Sequence, residues 1–249
     1  MSYLWTSIKM QFRIPVSVFF SLLFPLIMMF AMVTSYGNFD IGEGYHFVDK
    51  YFLISTGMGM LPIALISFPI WLGESVQNKS YKRLEYFGLS AQKIIVSDVC
   101  SYILLTALSI FVNILFGYLV YGLHIPDWQY FIAYVLQCLY CNLVLLIFGA
   151  LLALIIKNPR ILMPVGMCLL FMFYIFTGTF SSFSELPKSF QAVGNFLPMK
   201  YIMNDLFNVW TQNKLFISKF LALNTLYGII LSFALVAFLL RQKKIKIKP

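Results

Sequence analysis

The chain has 249 residues, of which 61% are hydrophobic, 18% aromatic and only 11% charged, and its mean hydropathy is +0.85. Soluble domains are about half apolar and about a quarter charged, so this composition excludes a soluble protein and predicts a membrane protein. The formal net charge of +9 is typical of a chain that contacts nucleic acid or a membrane surface, and the distribution of the charges decides between the two.

Six apolar runs are long enough to cross a bilayer as helices, which takes about 20 residues each. Water is absent from the hydrocarbon core, so backbone polar groups must pair internally, as they do in a helix. The runs are 14–33, 51–72, 94–121, 128–156, 161–180 and 220–240. We therefore expect an all-α integral membrane protein in which residues 1–249 form a single transmembrane domain.

The segment before the first run, residues 1–13, predicts an amphipathic helix in the membrane interface. One helical face carries only large apolar side chains, namely Leu4, Trp5, Ile8 and Phe12. Tryptophan is a usual anchor for such helices. The alternative is a frayed polar tail.

Most of the 18 basic residues fall on the side of the membrane that holds the N-terminus. The opposite side carries six of the nine acidic residues. This bias follows the positive-inside rule and predicts cytoplasmic N- and C-termini. The basic charge then indicates anionic membrane lipids as partners and argues against nucleic-acid binding.

The stretch "WLGESVQNKSYKRLEYFGLSAQKII" between the second and third runs holds six charged side chains. Few residues in it break a helix, and the spacing of its aromatic residues predicts a short amphipathic helix over 75–87 that Gly88 ends. Such a helix either lies on lipid headgroups or docks against a cytoplasmic partner, because charges around aromatic anchors are typical of protein interfaces.

The segment 182–214, between the fifth and sixth runs, predicts two further short helices on the outer side. Ser182 and Glu185 have the spacing of a capping box, Pro187 falls in the first turn and Gly194 is expected as the C-terminal cap. After Pro198 comes a second amphipathic stretch. Both helices are expected to rest at the outer interface or to re-enter the membrane.

Catalytic and metal-binding patterns are weak throughout the sequence. His46 and His124 fall in outer loops without metal-ligand spacing, and no acid lies in the middle of a run. Cys138 and Cys141 form a C-x-x-C pair that favours packing over metal or redox use, since no further ligands stand nearby. An enzyme, or a metal site, is not expected.

An ion-coupled carrier usually has ionisable groups near the membrane midplane. Only Asp98 approaches a run, and we place it in the first helical turn, where a helix N-terminus favours a carboxylate. The milder buried polar residues predict hydrogen bonds between helices more often than substrate contacts. They are Asn113, Gln137, Asn142, Thr177 and Asn224.

A nucleotide-binding motif is also missing. "GNFDIGEG" has the glycine spacing of a phosphate loop, but Glu43 stands where the lysine should be, and the stretch falls on the outer side. If ATP drives this protein, the ATPase is a separate chain.

The whole layout resembles the membrane subunit of ABC-2 type exporters, which have the type V exporter fold. Three stretches carry the resemblance: "FRIPVSVFFSLLFPLIMMF", "GESVQNKSYKRLEYFGLS" and "GTFSSFSELPKSFQAVGNFLPMKY". The matching positions are Arg13, Pro25, Glu74, Arg83, Leu84, Ser90, Pro187 and Pro198. The turn at Leu89, Ser90 and Ala91 lacks the family's usual proline.

The resemblance implies six transmembrane helices, an N-terminal elbow helix, a cytoplasmic coupling helix between spans two and three, and short extracellular helices between spans five and six. The coupling helix would sit in a groove of an ABC ATPase subunit, which binds ATP and Mg²⁺; this chain itself needs no cofactor. The implied coupling residues are Glu74, Lys79, Tyr81, Lys82, Arg83 and Glu85.

In the family two permease subunits pair, as a homodimer or a heterodimer, and spans one, two and five line the path between them. Small and adaptable side chains in spans two and five suit such a path, although each of them also suits lipid-facing or core positions. The path candidates are Gly57, Asn113, Met172, Thr177 and Thr179.

The resemblance further implies export from a bacterial cell across its cytoplasmic membrane. The long basic N-terminal segment of polysaccharide exporters is missing, which favours the subgroup that moves drugs, peptides, toxins or other amphipathic cargo. The alternatives are a polysaccharide or lipid-linked glycan exporter subunit and a non-transporting immunity protein that sequesters a toxic peptide.

Overall fold

The structure is a computed structural model that describes residues 3–12, 18–78, 80–86, 91–156 and 158–246. Within these residues six helices are long and apolar enough to cross a membrane, which confirms the predicted fold class. They are span one, Phe19–Tyr36; span two, Phe47–Gln77; span three, Ala91–Tyr121; span four, Trp128–Ile156; span five, Pro159–Thr177; and span six, Ser218–Lys246.

Two short helices lie outside the spans on the side where span two ends and span three begins, here called the terminal side. They are the interfacial helix, Tyr3–Phe12, and the connector helix, Ser80–Tyr86. Because the spans alternate in direction, the links 37–46, 122–127 and 178–217 lie on the opposite, distal side. The first of these links contains a β-hairpin of Asp40–Gly42 and Tyr45–His46.

The hairpin explains the glycine-rich stretch that has the spacing of a phosphate loop. Its register pairs Asp40 with His46 and Gly42 with Tyr45. The backbone φ angle is positive at Glu43 and at Gly44, +57° and +80°, as a tight hairpin turn requires. The spacing of these glycines therefore serves a turn.

Span two begins four residues before the predicted boundary at residue 51. The backbone N–H of His46 donates to the Asp49 carboxylate at 2.7 Å, and His46 and Asp49 together form a capping box. A second Asp49 oxygen accepts from the backbone N–H of His124 at 2.8 Å. Asp49 is buried, so one carboxylate both starts span two and holds the link between spans three and four.

The helix predicted over 75–87 has different bounds in the structure. Ser75 to Gln77 continue span two, because nothing after Leu72 breaks that helix. Asn78 ends it with φ −79° and ψ 2°, and the separate helix begins only at Ser80.

Span two occupies the centre of the bundle. In its most apolar 18-residue stretch 89% of the residues are buried, whereas in the corresponding stretch of span six only 6% are buried. Spans one, three, four and five all pack against span two, and so does the distal segment around residue 203. Lipid solvates apolar side chains well, so tight packing of small residues, rather than hydrophobicity, must hold this centre together.

Two glycines on neighbouring spans contact a π-helical turn of span two, Ile63–Ser67. A Cβ at Gly149 of span four would lie 2.3 Å from the carbonyl oxygen of Ala64. A Cβ at Gly166 of span five would lie 2.4 Å from the carbonyl oxygen of Leu65. Only glycine lets these backbones approach so closely, so spans four and five are fixed against span two at one level.

Spans one, two and three meet at a buried polar junction. The Ser55 hydroxyl lies 2.8 Å from the carbonyl oxygen of Pro25 and 2.5 Å from the Asn113 side-chain oxygen. The Ser109 hydroxyl donates to the carbonyl oxygen of Ser21 at 2.5 Å. Ser21 lies in a π-helical turn, Phe19–Leu23, and such turns release carbonyls for other partners. These bonds connect the three spans.

The interfacial helix packs on span three through polar side chains. The Ser7 hydroxyl donates to the Asp98 carboxylate at 2.7 Å and lies 3.0 Å from the Ser101 hydroxyl, and the Gln11 amide donates to Ser101. Span three starts at Ala91, so Asp98 lies about two turns inside it. Its predicted place in the first turn is wrong, because the helix begins earlier than the apolar run does.

The distal segment differs from its predicted capping pattern. Ser182 makes no side-chain cap; residues Phe183–Glu185 form a 3-10 turn, and the helix Lys188–Asn195 follows with Pro187 as its N-cap. Gly194 lies inside that helix and is no C-cap. A Cβ there would come within 2.3 Å of the carbonyl oxygen of Phe176, so this glycine permits close packing on span five.

The second distal stretch enters the bundle. It consists of Pro198–Lys200, the π-helical turn Tyr201–Asp205 and Phe207–Trp210, here called the re-entrant segment. Trp210 is fully buried, with its ring centroid 4.3 Å from that of Phe52 in span two and 5.1 Å from that of Tyr134 in span four. The segment therefore fills the distal end of the core.

Replacement of Gly149 by alanine tests the close packing against span two. We expect Gly149→Ala to lower the free energy of unfolding by about 1–3 kcal/mol, because the added methyl group must displace a backbone carbonyl. Unfolding in mixed detergent micelles measures the change.

The matched control is Gly228→Ala in span six, where the added Cβ would lie 3.4 Å from the nearest atom, Val144 Cγ2. We expect the control to stay within about 0.5 kcal/mol of the parent chain. Equal stability of both variants would contradict the packing described for Gly149.

Candidate coupling and transport surfaces

The connector helix places charged and aromatic side chains on the terminal side of the bundle. Arg83 is exposed, and Tyr86 is 90% exposed. Leu84 is half-buried, which fits a short helix with one face toward the protein. Glu74, at the end of span two, is exposed as well.

The structure does not describe the side chains of the other four predicted coupling residues. Lys79 lies outside the described residues. Tyr81, Lys82 and Glu85 belong to the connector helix, but their side chains lie outside the described part of the chain. The role of all six coupling residues stays a prediction.

The connector helix packs against the ends of both span two and span three. Span two has 31 residues and is therefore about 46 Å long. It extends without interruption from the connector helix to the distal cap formed by Asp49. A displacement of the connector helix would therefore act directly on the most buried helix of the protein.

Three of the five path candidates gather around Met203 of the re-entrant segment. A Cβ at Gly57 would lie 2.5 Å from the terminal methyl group of Met203. The Thr179 hydroxyl contacts the Met203 sulfur at 3.5 Å and the Thr177 hydroxyl at 3.1 Å. The Asn204 amide donates to the carbonyl oxygen of Thr177 at 2.9 Å. This cluster joins span two, the end of span five and the re-entrant segment.

The remaining two path candidates lie elsewhere. Asn113 is fully buried in the polar junction, where its amide also donates to the carbonyl oxygen of Ser109 at 3.0 Å. Met172 is 52% exposed on the outward face of span five. The five residues therefore do not line one common path in the structure, and their transport role stays a prediction.

Spans one and five each present an exposed apolar stripe, and both spans pack against span two. The span-one stripe consists of Phe19, Leu23, Ile27 and Phe30, and the span-five stripe contains Ile161, Phe171, Met172 and Ile175. The span-one residues recur every three or four positions, which keeps that stripe on one helical face, and Phe171, Met172 and Ile175 lie within about one turn of span five. The stripes suit either lipid or a second protein chain.

The distal end of the re-entrant segment is held by electrostatic contacts. Lys200 pairs with Asp205 at 2.8 Å, and its ammonium lies 4.8 Å from the ring centroids of both Phe183 and Tyr201. Burial raises the pKa of Tyr201, and the Asp205 carboxylate adds to the shift. Tyr201 thus stays a neutral phenol, and its hydroxyl donates to the carbonyl oxygen of Asn195 at 3.0 Å.

Sequence reasoning missed several residues that organise these surfaces. Met203 was part of an amphipathic stretch without a partner, and nothing local links it to Gly57. Ser55 and Ser109 are common helix residues without a periodic signal. Ser7 and Gln11 are four residues apart and therefore share one side of the helix, beside its apolar face, but their partners on span three lie about 90 residues away.

Comparison with known families adds an independent finding. The family model of the ABC-2 type transporter membrane domain matches residues 1–209. No curated protein and no solved structure shows a match to the chain. Membrane domains of this family are transport subunits rather than catalytic chains, and they normally work with an ABC ATPase partner. The chain therefore belongs to the ABC-2 type transporter family, as a multi-pass transmembrane permease subunit of an ABC transporter.

Proposed function

We propose that this permease subunit exports a hydrophobic or amphipathic cargo, such as a peptide, toxin or drug, across a bacterial cytoplasmic membrane. A separate ABC ATPase chain supplies the energy and binds ATP and Mg²⁺. The observation that carries the proposal is the exposed charged connector helix joined to the deeply buried span two. Force applied to such a helix acts on the centre of the bundle.

The exposed face of the connector helix supports ATPase docking. Arginine and tyrosine are enriched at the energetically important positions of protein interfaces, and Arg83 and Tyr86 are both exposed here. A helix that only rested on lipid would expose apolar side chains to the bilayer. Leu84, by contrast, is half-buried.

The charge distribution supports a cytoplasmic terminal side. Basic residues dominate the connector region and the end of span six, and acids dominate the distal links. Positively charged links stay in the cytoplasm. This orientation places the connector helix where an ATPase and ATP are available, and it places the re-entrant segment outside the cell.

The exposed stripes on spans one and five support pairing with a second permease chain, either an identical or a similar one. A path between two such chains would be walled by large flexible apolar side chains, including Phe171 and Met172. Methionine and phenylalanine adapt to apolar ligands of varied shape, so the proposed cargo is hydrophobic or amphipathic rather than strongly polar.

The double variant Arg83→Ala/Tyr86→Ala tests ATPase docking. We expect it to fold normally, because both side chains are exposed, but to lose most of the associated ATPase. Removal of two interface anchors of this kind weakens binding by about tenfold or more. Affinity purification from gently solubilised native membranes, followed by mass spectrometry and an ATP hydrolysis assay, measures the loss.

The control is Arg160→Ala, which removes an exposed basic side chain from the terminal side but leaves the connector helix intact. It should retain the ATPase. Full ATPase recovery with the double variant would refute docking at this helix. Absence of any ATPase from the parent chain, together with protection against a toxic peptide, would instead support the sequestering function.

The natural cysteines test the proposed pairing. Cys168 is exposed on span five and lies one turn from Met172, on the same helical face. If the stripes of two copies face each other, a short bis-maleimide should join the two Cys168 thiols in native membranes and double the apparent mass on a denaturing gel.

Cys100 is also exposed, but it lies on span three, so Cys100→Ser should leave the cross-link intact and Cys168→Ser should abolish it. A cross-link through Cys100 alone would place the pairing face elsewhere. A Cys168 cross-link to a chain of different mass would identify a heterodimer.

A further inference from the structure

Three prolines lie inside the described parts of spans one and two, namely Pro25, Pro62 and Pro69. Proline has no backbone N–H, so it cannot donate to the carbonyl oxygen four residues earlier, and helices bend at such positions. Within a bilayer a carbonyl freed in this way needs another donor. The three freed carbonyls belong to Ser21, Met58 and Leu65.

The carbonyl freed in the middle of span two is bonded by a tyrosine of span five. The Tyr174 hydroxyl donates to the carbonyl oxygen of Met58 at 3.0 Å. Tyr174 is only 1% exposed and Met58 is fully buried, so water does not compete for this bond. The phenol therefore replaces the N–H that Pro62 lacks.

The carbonyl freed in span one is bonded in the same way by span three. The Ser109 hydroxyl donates to the carbonyl oxygen of Ser21 at 2.5 Å, the acceptor that Pro25 cannot use. Gly59 makes room for this bond, since a Cβ there would lie 2.6 Å from Ser109 Oγ and 2.9 Å from the Ser21 oxygen. Gly59 directly follows Met58, so the two replacement bonds lie at one level of the bundle.

The third freed carbonyl contacts span five without a hydroxyl group. It belongs to Leu65, four residues before Pro69, and a Cβ at Gly166 would lie 2.4 Å from its oxygen. Each carbonyl freed by proline in the described parts of spans one and two is therefore in contact with span three or span five.

The bond to Met58 lies between the two functional ends of span two. Pro62 separates the connector helix from the re-entrant segment, and the π-helical turn Ile63–Ser67 follows it directly, so the helix is already irregular at this point. A bend at Pro62 would absorb a displacement of the connector helix before it reached Gly57 and Met203. A bond from a neighbouring span opposes such a bend.

We propose that Tyr174 and Ser109 are positioning residues that replace the backbone donors missing at Pro62 and Pro25 and keep spans one and two stiff where they meet. With these bonds in place, a displacement of the connector helix reaches the distal side. This transmission rests on the proposed ATPase docking, whereas the replacement of the missing donors does not.

A double-mutant cycle on the purified full chain in detergent tests the replacement of the donor. Alanine at position 62 restores the missing N–H, so the Met58 carbonyl no longer requires the Tyr174 hydroxyl. We expect Tyr174→Phe to lower the unfolding temperature by about 2–4 °C in the parent chain, as loss of one buried hydrogen bond does. In the Pro62→Ala background the same change should lower it by about half of that or less.

The matched control is Tyr140→Phe, which removes a hydroxyl that lies 2.8 Å from Thr225 Oγ1 between spans four and six. Its effect should be the same with proline and with alanine at position 62. Ser109→Ala, measured with and without Pro25→Ala, forms a second and independent cycle.

Equal effects of Tyr174→Phe in the two backgrounds would show that Tyr174 acts through packing alone and would overturn the proposal. An unchanged unfolding temperature in the parent background would do the same. If Tyr174→Phe alone does not fold, a folded chain in the Pro62→Ala background supports the proposal and a second failure to fold contradicts it.

Maleimide labelling in native membranes tests the transmission. Asn208→Cys places a thiol at an exposed distal position in a chain that also carries Cys100→Ser and Cys168→Ser. We expect a non-hydrolysable ATP analogue to change its labelling rate. Tyr174→Phe should lose this response although the ATPase is still recovered with the chain, and Pro62→Ala should restore it.

A full nucleotide response in the Tyr174→Phe chain would contradict the transmission. A chain from which no ATPase is recovered, even without the Tyr174 change, would contradict the proposed function and the transmission with it. The unfolding cycle would then still decide whether Tyr174 replaces the missing donor.

Discussion

The fold depends on the burial of span two, although the hydrophobic effect does not favour moving an apolar helix from lipid into a protein interior. Apolar side chains are as well solvated by lipid as by protein, so a central helix must gain from close contacts and hydrogen bonds. Gly149 and Gly166 supply the close contacts by admitting the carbonyl oxygens of Ala64 and Leu65. Ser55 supplies the hydrogen bonds that connect span two to spans one and three.

The same constraint makes the bundle suitable for transmitting motion. A helix fixed at several levels along its length moves with its neighbours rather than past them. The connector helix continues from one end of span two, and the re-entrant segment packs on the other end, where Met203 contacts Gly57 and Thr179. Docking on the terminal side and rearrangement on the distal side would then be two ends of one mechanical unit.

Much of the fold was predictable from local sequence patterns. Six apolar runs of sufficient length are enough to predict the spans, because the bilayer thickness fixes how long a spanning helix must be. Glycine in a span indicates close approach to a neighbour, and Gly57 makes such an approach to Met203. Pairing of Asn113 with another helix was also predictable, since a buried amide in lipid needs a partner.

Features that depend on distant partners were not predictable. The predicted capping box at Ser182 does not form, and Gly194 is a packing residue rather than a C-cap. Both features depend on how the segment packs on span five, which local sequence does not show. The capping role of His46 was missed, since histidine is an unusual N-cap residue. Asp98 was placed one turn too early because polar residues before the apolar run also belong to the helix.

Photo-cross-linking tests most directly whether the connector helix contacts a separate ATPase. Benzoylphenylalanine placed at Tyr86, which is 90% exposed, would be activated in native membranes and compared with the same group at Tyr36 on the distal side, which is 68% exposed. We expect position 86 to capture a chain with a phosphate-loop ATPase sequence and position 36 to capture none. Capture of the ATPase from position 36, or of no ATPase from position 86 in a preparation that hydrolyses ATP, would contradict it.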